Sequence, residues 1–257
     1  MNLLNNFFIR KISNNKNFTR QQKRIGLLFF DPYSINKGTA ALAYSAISLL
    51  NEIKNENSQS FEYIFLEPRQ PQNNLIDTSL DICGEKIPVK LKRCFPSRSL
   101  KDKARILFML KKYSESAKID FIFDIGEGDS YSDIYGKARF YLFDNIKQFY
   151  LKKRIPFALC PQTLGPFFDK HIEKIATKTL KKVDMVCSRD NKTTEYIKSL
   201  LPNIDIFQFP DFAFFLPYKK DDFSVDFDRT KINVGINISG LLWYGGYTQN
   251  NQFGLTT

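Results

Sequence analysis

Between residues 119 and 133 the chain reads IDFIFDIGEGDSYSD. A short, almost wholly apolar run that stops at Gly, acids and hydroxyls has the pattern of a strand buried on both faces, with its polar loop at the C-terminal end. Open α/β sheets bind their ligands at that end. The pattern recurs in kind over residues 155–166, IPFALCPQTLGP. Two such loops opening on the same sheet edge would make a cleft.

The rest of the chain repeats the alternation of strand and helix. Residues 24–30 form a first strand, and the loop from Asp31 to Thr39 closes with a residue able to cap a helix over Ala40–Ile53. Strand, polar loop and helix N-terminus together aim backbone N–H groups and the positive dipole end at any bound anion. Asn36 and Gly38 lie in that loop, which lacks the glycine spacing of a dinucleotide fingerprint and the ending of a P-loop, so an ordinary βα turn and an anion site both remain open. Further strands are expected at Phe61–Leu66, Pro156–Cys160, Asp184–Cys187 and Ile204–Phe207, with a loop from the second of the chain's strands to about residue 79. Helices are expected at 99–114, 133–153, 169–182 and 191–201. This order specifies an α/β fold, a Rossmann-like doubly wound, mainly parallel sheet over residues 24–216. Residues 217–231 turn charged and read as a linker; 232–238 begin a fresh strand, so 232–257 is expected to be the truncated start of a second Rossmann-like domain.

Composition narrows the class. Of 257 residues, 43% are hydrophobic and 15% aromatic, which excludes a disordered chain. No apolar run reaches the ~18 residues that a membrane helix requires. The net charge of +11 is concentrated in residues 1–23 and the strand that follows, where Arg10, Lys11, Lys16, Arg20, Lys23 and Arg24 meet no acid. That arm reads as a flexible basic tail, or as a short amphipathic segment making peripheral contact with an anionic membrane through Leu3, Leu4, Phe7, Phe8 and Ile9. Nucleic acid is not an expected partner, because the body has no basic stripe interleaved with stacking aromatics. Cys83, Cys94, Cys160 and Cys187 lack metal-type spacing and read as reduced packing residues, pointing to a cytoplasmic setting, with the inner membrane face as a further possibility.

Taken in order, the motifs Asn36-Lys37-Gly38, Asp124-Ile125-Gly126 with Ser132-Asp133-Ile134-Tyr135-Gly136, Pro161 to Phe167, Ser188-Arg189-Asp190, Asp211 to Leu216 and Val234 to Asn237 resemble those of the polysaccharide pyruvyl transferase family. The resemblance covers residues 24–240. It implies the N-terminal half of a GT-B-like two-domain fold. It also implies transfer of an enolpyruvyl group from phosphoenolpyruvate, as donor substrate and with no cofactor, to a glycan or lipid-linked sugar acceptor. Two alternatives stand beside it: a GT-B-like glycosyltransferase using a nucleotide sugar, and a non-catalytic remnant that binds a sugar or a partner.

The resemblance also supplies site residues. Arg189 matches a recurrent arginine and is the expected ligand of the donor anion, against a salt bridge to Asp190 or a loop cap. Gln162 and Thr163 are expected to meet substrate hydroxyls, with Gly165 allowing close backbone approach or simply making the turn. Asp124, Asp129 and Asp133 are candidates for orienting an acceptor hydroxyl, and Asp133 equally reads as the N-cap of the helix it opens. His171, the sole histidine, is the other catalytic candidate, although the resemblance places the family's histidine in the second domain, beyond Thr257. Two positions depart from the family pattern. Thr39-Ala40 stand where relatives carry an acid, and Glu127 interrupts a glycine run and would repel an anionic ligand if it faced the cleft.

Overall fold

The computed structural model describes residues 22–56, 60–67, 75–93, 118–218, 228, 230–236 and 243. The chain divides into two compact units, Met1–Tyr218 and Lys219–Thr257. In the first, the elements run β1 (Lys23–Leu28), α1 (Lys37–Glu56), β2 (Phe61–Glu67), β3 (Ile76–Ile82), β4 (Glu85–Arg93) and β5 (Phe121–Asp124). They continue with a short turn at Gly126–Gly128, α2 (Lys137–Lys152), β6 (Phe157–Gln162), α3 (Lys170–Leu180), β7 (Met185–Ser188), α4 (Asn191–Leu200), β8 (Ile206–Gln208) and a second turn at Phe212–Phe215.

The strands form one eight-stranded sheet in the order β3-β4-β2-β1-β5-β6-β7-β8, parallel throughout except for β3 against β4. After β4 the chain crosses past β2 and β1 to place β5 on the other side of β1, so the topological switch point lies between β1 and β5. The fold is the doubly wound α/β sheet expected from the alternation.

Burial explains why these strands sit at the centre. Every residue of β5, β6 and β7 is buried, as strands covered on both faces require. Gly26 in β1 is a packing requirement, because a Cβ there would stand 2.8 Å from Ile122 and 2.9 Å from Ile119. From α2, Phe140, Phe143 and Ile146 press onto the sheet, and the Phe143 ring stacks on Phe29 with centroids 3.9 Å apart.

Several local expectations need correction. The helix after β1 starts at Lys37, earlier than Ala40, and it is Asn36 rather than Thr39 whose side chain accepts the Gly38 N–H at its first turn. The stretch taken as a loop to residue 79 contains β3, which forms a hairpin with β4 through Cys83 and Gly84, both at positive φ. α2 starts at Lys137 behind Gly136, so Asp133 is not its N-cap. The expected helix at 99–114, residues 1–21 of the expected 1–23 basic arm and Cys94 lie outside the described residues, while Lys23 at the end of that arm already belongs to β1. In the second unit, residues 232–236 form no strand: Ile232, Val234 and Ile236 are exposed and make no ladder with a neighbour among the described residues.

Candidate functional site

The loops after β1, β5, β6, β7 and β8 meet at the C-terminal edge of the sheet, and their floor is built on a buried ion pair. Asp124, the last residue of β5, takes a 2.6 Å hydrogen bond from Lys147 of α2, and both side chains are 0% exposed. The Lys147 ammonium lies against the rings of Tyr131, Phe29 and Phe143 at 4.6, 4.9 and 5.6 Å. Burial pushes the Asp124 carboxyl up and the Lys147 ammonium down, and their mutual attraction resists both shifts. Beside the pair, Tyr131 and Thr179 donate to one oxygen of Asp144, extending a polar seam under the sheet edge.

Gln162 closes this floor. It is wholly buried, and its amide donates to the carbonyls of Asp124 at 2.8 Å and Cys160 at 3.3 Å. Its oxygen occupies the space beside Gly126, where a Cβ would come within 2.2 Å of it, and Gly126 holds φ +53°. Asp124 and Gln162 were expected to face substrate hydroxyls. Both are instead enclosed, and they fix the shape of the Gly126–Gly128 turn.

Above the floor the reachable groups converge on that turn. Thr163 donates its N–H to the carbonyl of Gly128, and Thr163 Oγ1 accepts from Arg189 Nε at 2.8 Å. Arg189 follows β7, and its Nη1 pairs with Asp211 at 2.8 Å rather than with Asp190, which accepts from Thr193 N–H to cap α4. A Cβ on Gly128 would lie 3.5 Å from Arg189 Nη1 and 3.4 Å from Leu42 of α1. Arg189 is therefore positioned by three loops. Its side chain remains 29% exposed, and its Nη2 has no partner among the described residues. At the neighbouring α1 N-terminus, Asn36 and Gly38 form an exposed capping turn.

The remaining expected residues fall at the margin. Asp133 accepts from the backbone N–H groups of Phe168 and Asp169, tying the β5 loop to the β6 loop. Gly165 is needed for packing, since a Cβ would meet the Tyr196 ring at 2.5 Å. Asp129 accepts from the Tyr135 hydroxyl. His171 lies exposed in the first turn of α3, and no hydrogen bond joins its side chain to Arg189, Gln162 or Thr163 among the described residues. Glu127, by contrast, belongs to the Gly126–Gly128 turn itself and pairs with Arg139 of α2.

Three residues of this arrangement escape sequence reading as site residues: Lys147, Arg139 and Asp211. Lys147 carries a usable signal, since it follows Phe143 by four residues on the apolar stripe of α2. Asp211 opens the Asp211 to Leu216 motif, which marks its position but not its pairing with Arg189, and Arg139 carries none, because nothing local distinguishes it from a surface charge.

A comparison with protein-family models matches residues 36–249 to the polysaccharide pyruvyl transferases. A search of curated proteins finds no match. The matched region spans the loops of the switch-point edge, from Asn36 through Asp124, Thr163 and Arg189 to Asp211. On that match the chain belongs to the polysaccharide pyruvyl transferase family, a family of transferases.

Proposed function

We propose that this chain binds phosphoenolpyruvate at the switch-point edge and serves in transfer of its pyruvyl unit to a sugar of a cell-surface polysaccharide or its lipid-linked precursor. In that transfer a sugar oxygen bonds to the central carbon of the donor, its methylene carbon takes a proton, and the bond to phosphate breaks. A second sugar hydroxyl then closes the ketal. The two hydroxyl protons end on the new methyl group and on the departing inorganic phosphate. The donor's phosphate and carboxylate demand cations and N–H donors held in place before the ligand arrives.

The observation that carries the reading is Arg189, fixed by Thr163 and Asp211 with part of its guanidinium open. A cation held in position loses little freedom when an anion binds. Thr163 uses its oxygen as acceptor from Arg189, which leaves its hydroxyl proton to donate to a substrate oxygen. The first turn of α1 adds the positive end of a 20-residue helix to the same edge. His171, exposed and unconnected to these groups among the described residues, is assigned no step.

The test is calorimetric titration of the full chain with phosphoenolpyruvate, beside Arg189→Ala and a nucleotide sugar. Saturable binding of phosphoenolpyruvate that is lost in Arg189→Ala is the expected result. Binding of the nucleotide sugar alone would move the chain to glycosyl transfer, and binding of neither would sink the donor site.

A further inference from the structure

Glu127 stands at the centre of the candidate site and yet carries a negative charge next to the place where an anion is to bind. Its carboxylate does not project freely: it is held by Nη2 of Arg139, which also donates to Ser130 Oγ at 2.9 Å. The Arg139 guanidinium lies against two rings, 5.3 Å from the Phe143 centroid and 5.6 Å from that of Tyr135, so its plane is fixed without Glu127. Its Nε is buried and has no hydrogen-bond partner among the described residues, so one donor on this guanidinium goes unused there. The side chains of Arg139 and Glu127 are 30% and 33% exposed, open enough for exchange with a ligand and sheltered enough for the charges to matter. Arg139 thus anchors on residue 127 as Arg189 approaches residue 128, and one turn is flanked by two guanidinium groups.

We propose that Arg139 is a second cation for the donor and that Glu127 is its internal competitor, a carboxylate that occupies Arg139 until the ligand's carboxylate replaces it. The assignment rests on the donor reading above and adds to it the division of labour: Arg189 takes the phosphate and Arg139 the carboxylate. A ligand with a phosphate but no carboxylate engages Arg189 alone. Selection of the donor then follows from the exchange, because only a ligand bearing both groups offsets the lost Arg139–Glu127 pair.

The experiment is titration of the full chain and its Glu127→Gln, Arg139→Gln, Arg139→Lys and Arg189→Ala variants with phosphoenolpyruvate and, separately, with inorganic phosphate. Glu127→Gln should bind phosphoenolpyruvate roughly two- to fivefold more tightly, the range expected for losing one part-exposed ion pair. Arg139→Gln should weaken that binding about tenfold or more, as loss of a charge-assisted contact does, with Arg139→Lys recovering only part. Phosphate affinity should depend on Arg189 and be indifferent to both Glu127→Gln and Arg139→Gln. Phosphoenolpyruvate binding that requires Arg189 but ignores residues 127 and 139 overturns this inference and leaves the donor reading intact. No binding of phosphoenolpyruvate to the unsubstituted chain, with folding verified by circular dichroism, overturns both.

Discussion

At the scale of single residues, buried charge and left-handed glycine set the site. Lys147 and Asp124 are both 0% exposed, so removing either leaves the other without compensation in the interior. Lys147→Met should therefore lower the unfolding free energy by about 3–5 kcal/mol. Adding Asp124→Asn should return much of that loss, because the second substitution removes the stranded carboxylate. Urea unfolding of Lys147→Met, Asp124→Asn and the double variant checks this, and strictly additive losses would mean that the pair is not coupled. Gly126 poses a different constraint, since its φ of +53° and the Gln162 oxygen together exclude a side chain. Sequence pattern singles out Asp124, Gly126 and Gln162 as one neighbourhood. It does not reveal that all three lie under the surface, because depth depends on Lys147 arriving from a helix 23 residues along the chain.

At the scale of elements, helix starts are where pattern and structure part. The runs of β1, β5, β6 and β7 are apolar enough to be read directly, and their parallel pairing follows from their alternation with helices. The β3–β4 hairpin does carry a signal, since Leu80 and Ile82 and then Ile87, Val89 and Leu91 alternate with polar or charged residues and form its buried face; Pro88, on the opposite face, is what obscures it. Asp133 looks like a cap because it precedes helix-forming sequence, but Gly136 at φ +94° delays α2 and frees Asp133 to bind the amides of Phe168 and Asp169. The true cap nearby is Asp169 on α3, which accepts from the N–H groups of His171 and Ile172 and pairs with Lys137. The Lys137 hydrogen bond, aided by these amides, holds the Asp169 carboxyl down at about 2, against an ordinary 3.8. A depressed carboxyl contributes stability that is complete above the unfolded value and is lost as pH falls through the folded one. Between pH 3.8 and about 2 the chain should accordingly lose a stabilising contribution that Asp169→Asn lacks at every pH. Melting temperatures of both proteins across that window, compared as a difference, should converge toward the acid end; a constant difference would refute the assignment.

At the scale of the whole first unit, the site depends on how the chain leaves the sheet. β8 is an edge strand, three places removed from β5 and four from β1, yet the segment after it returns to the switch point. Asp211 reaches Arg189, and the next residue, Phe212, is buried among Phe30, Leu49, Leu50, Ile53 and Phe123, between α1 and the central strands. The return segment therefore couples core packing to the orientation of the proposed donor-binding arginine. Phe214, two residues on, is 83% exposed and offers a control in the same turn. Phe212→Ala should cost about 3–5 kcal/mol of stability, the range for a buried Phe reduced to Ala. It should also weaken phosphoenolpyruvate binding, because Asp211 loses its anchor and Arg189 gains freedom that binding must then remove. Phe214→Ala should leave both quantities within error. Urea unfolding and calorimetry on the pair separate the two links: a destabilised Phe212→Ala chain that keeps full affinity under folding conditions would show that Thr163 and the Gly128 turn hold Arg189 without Asp211.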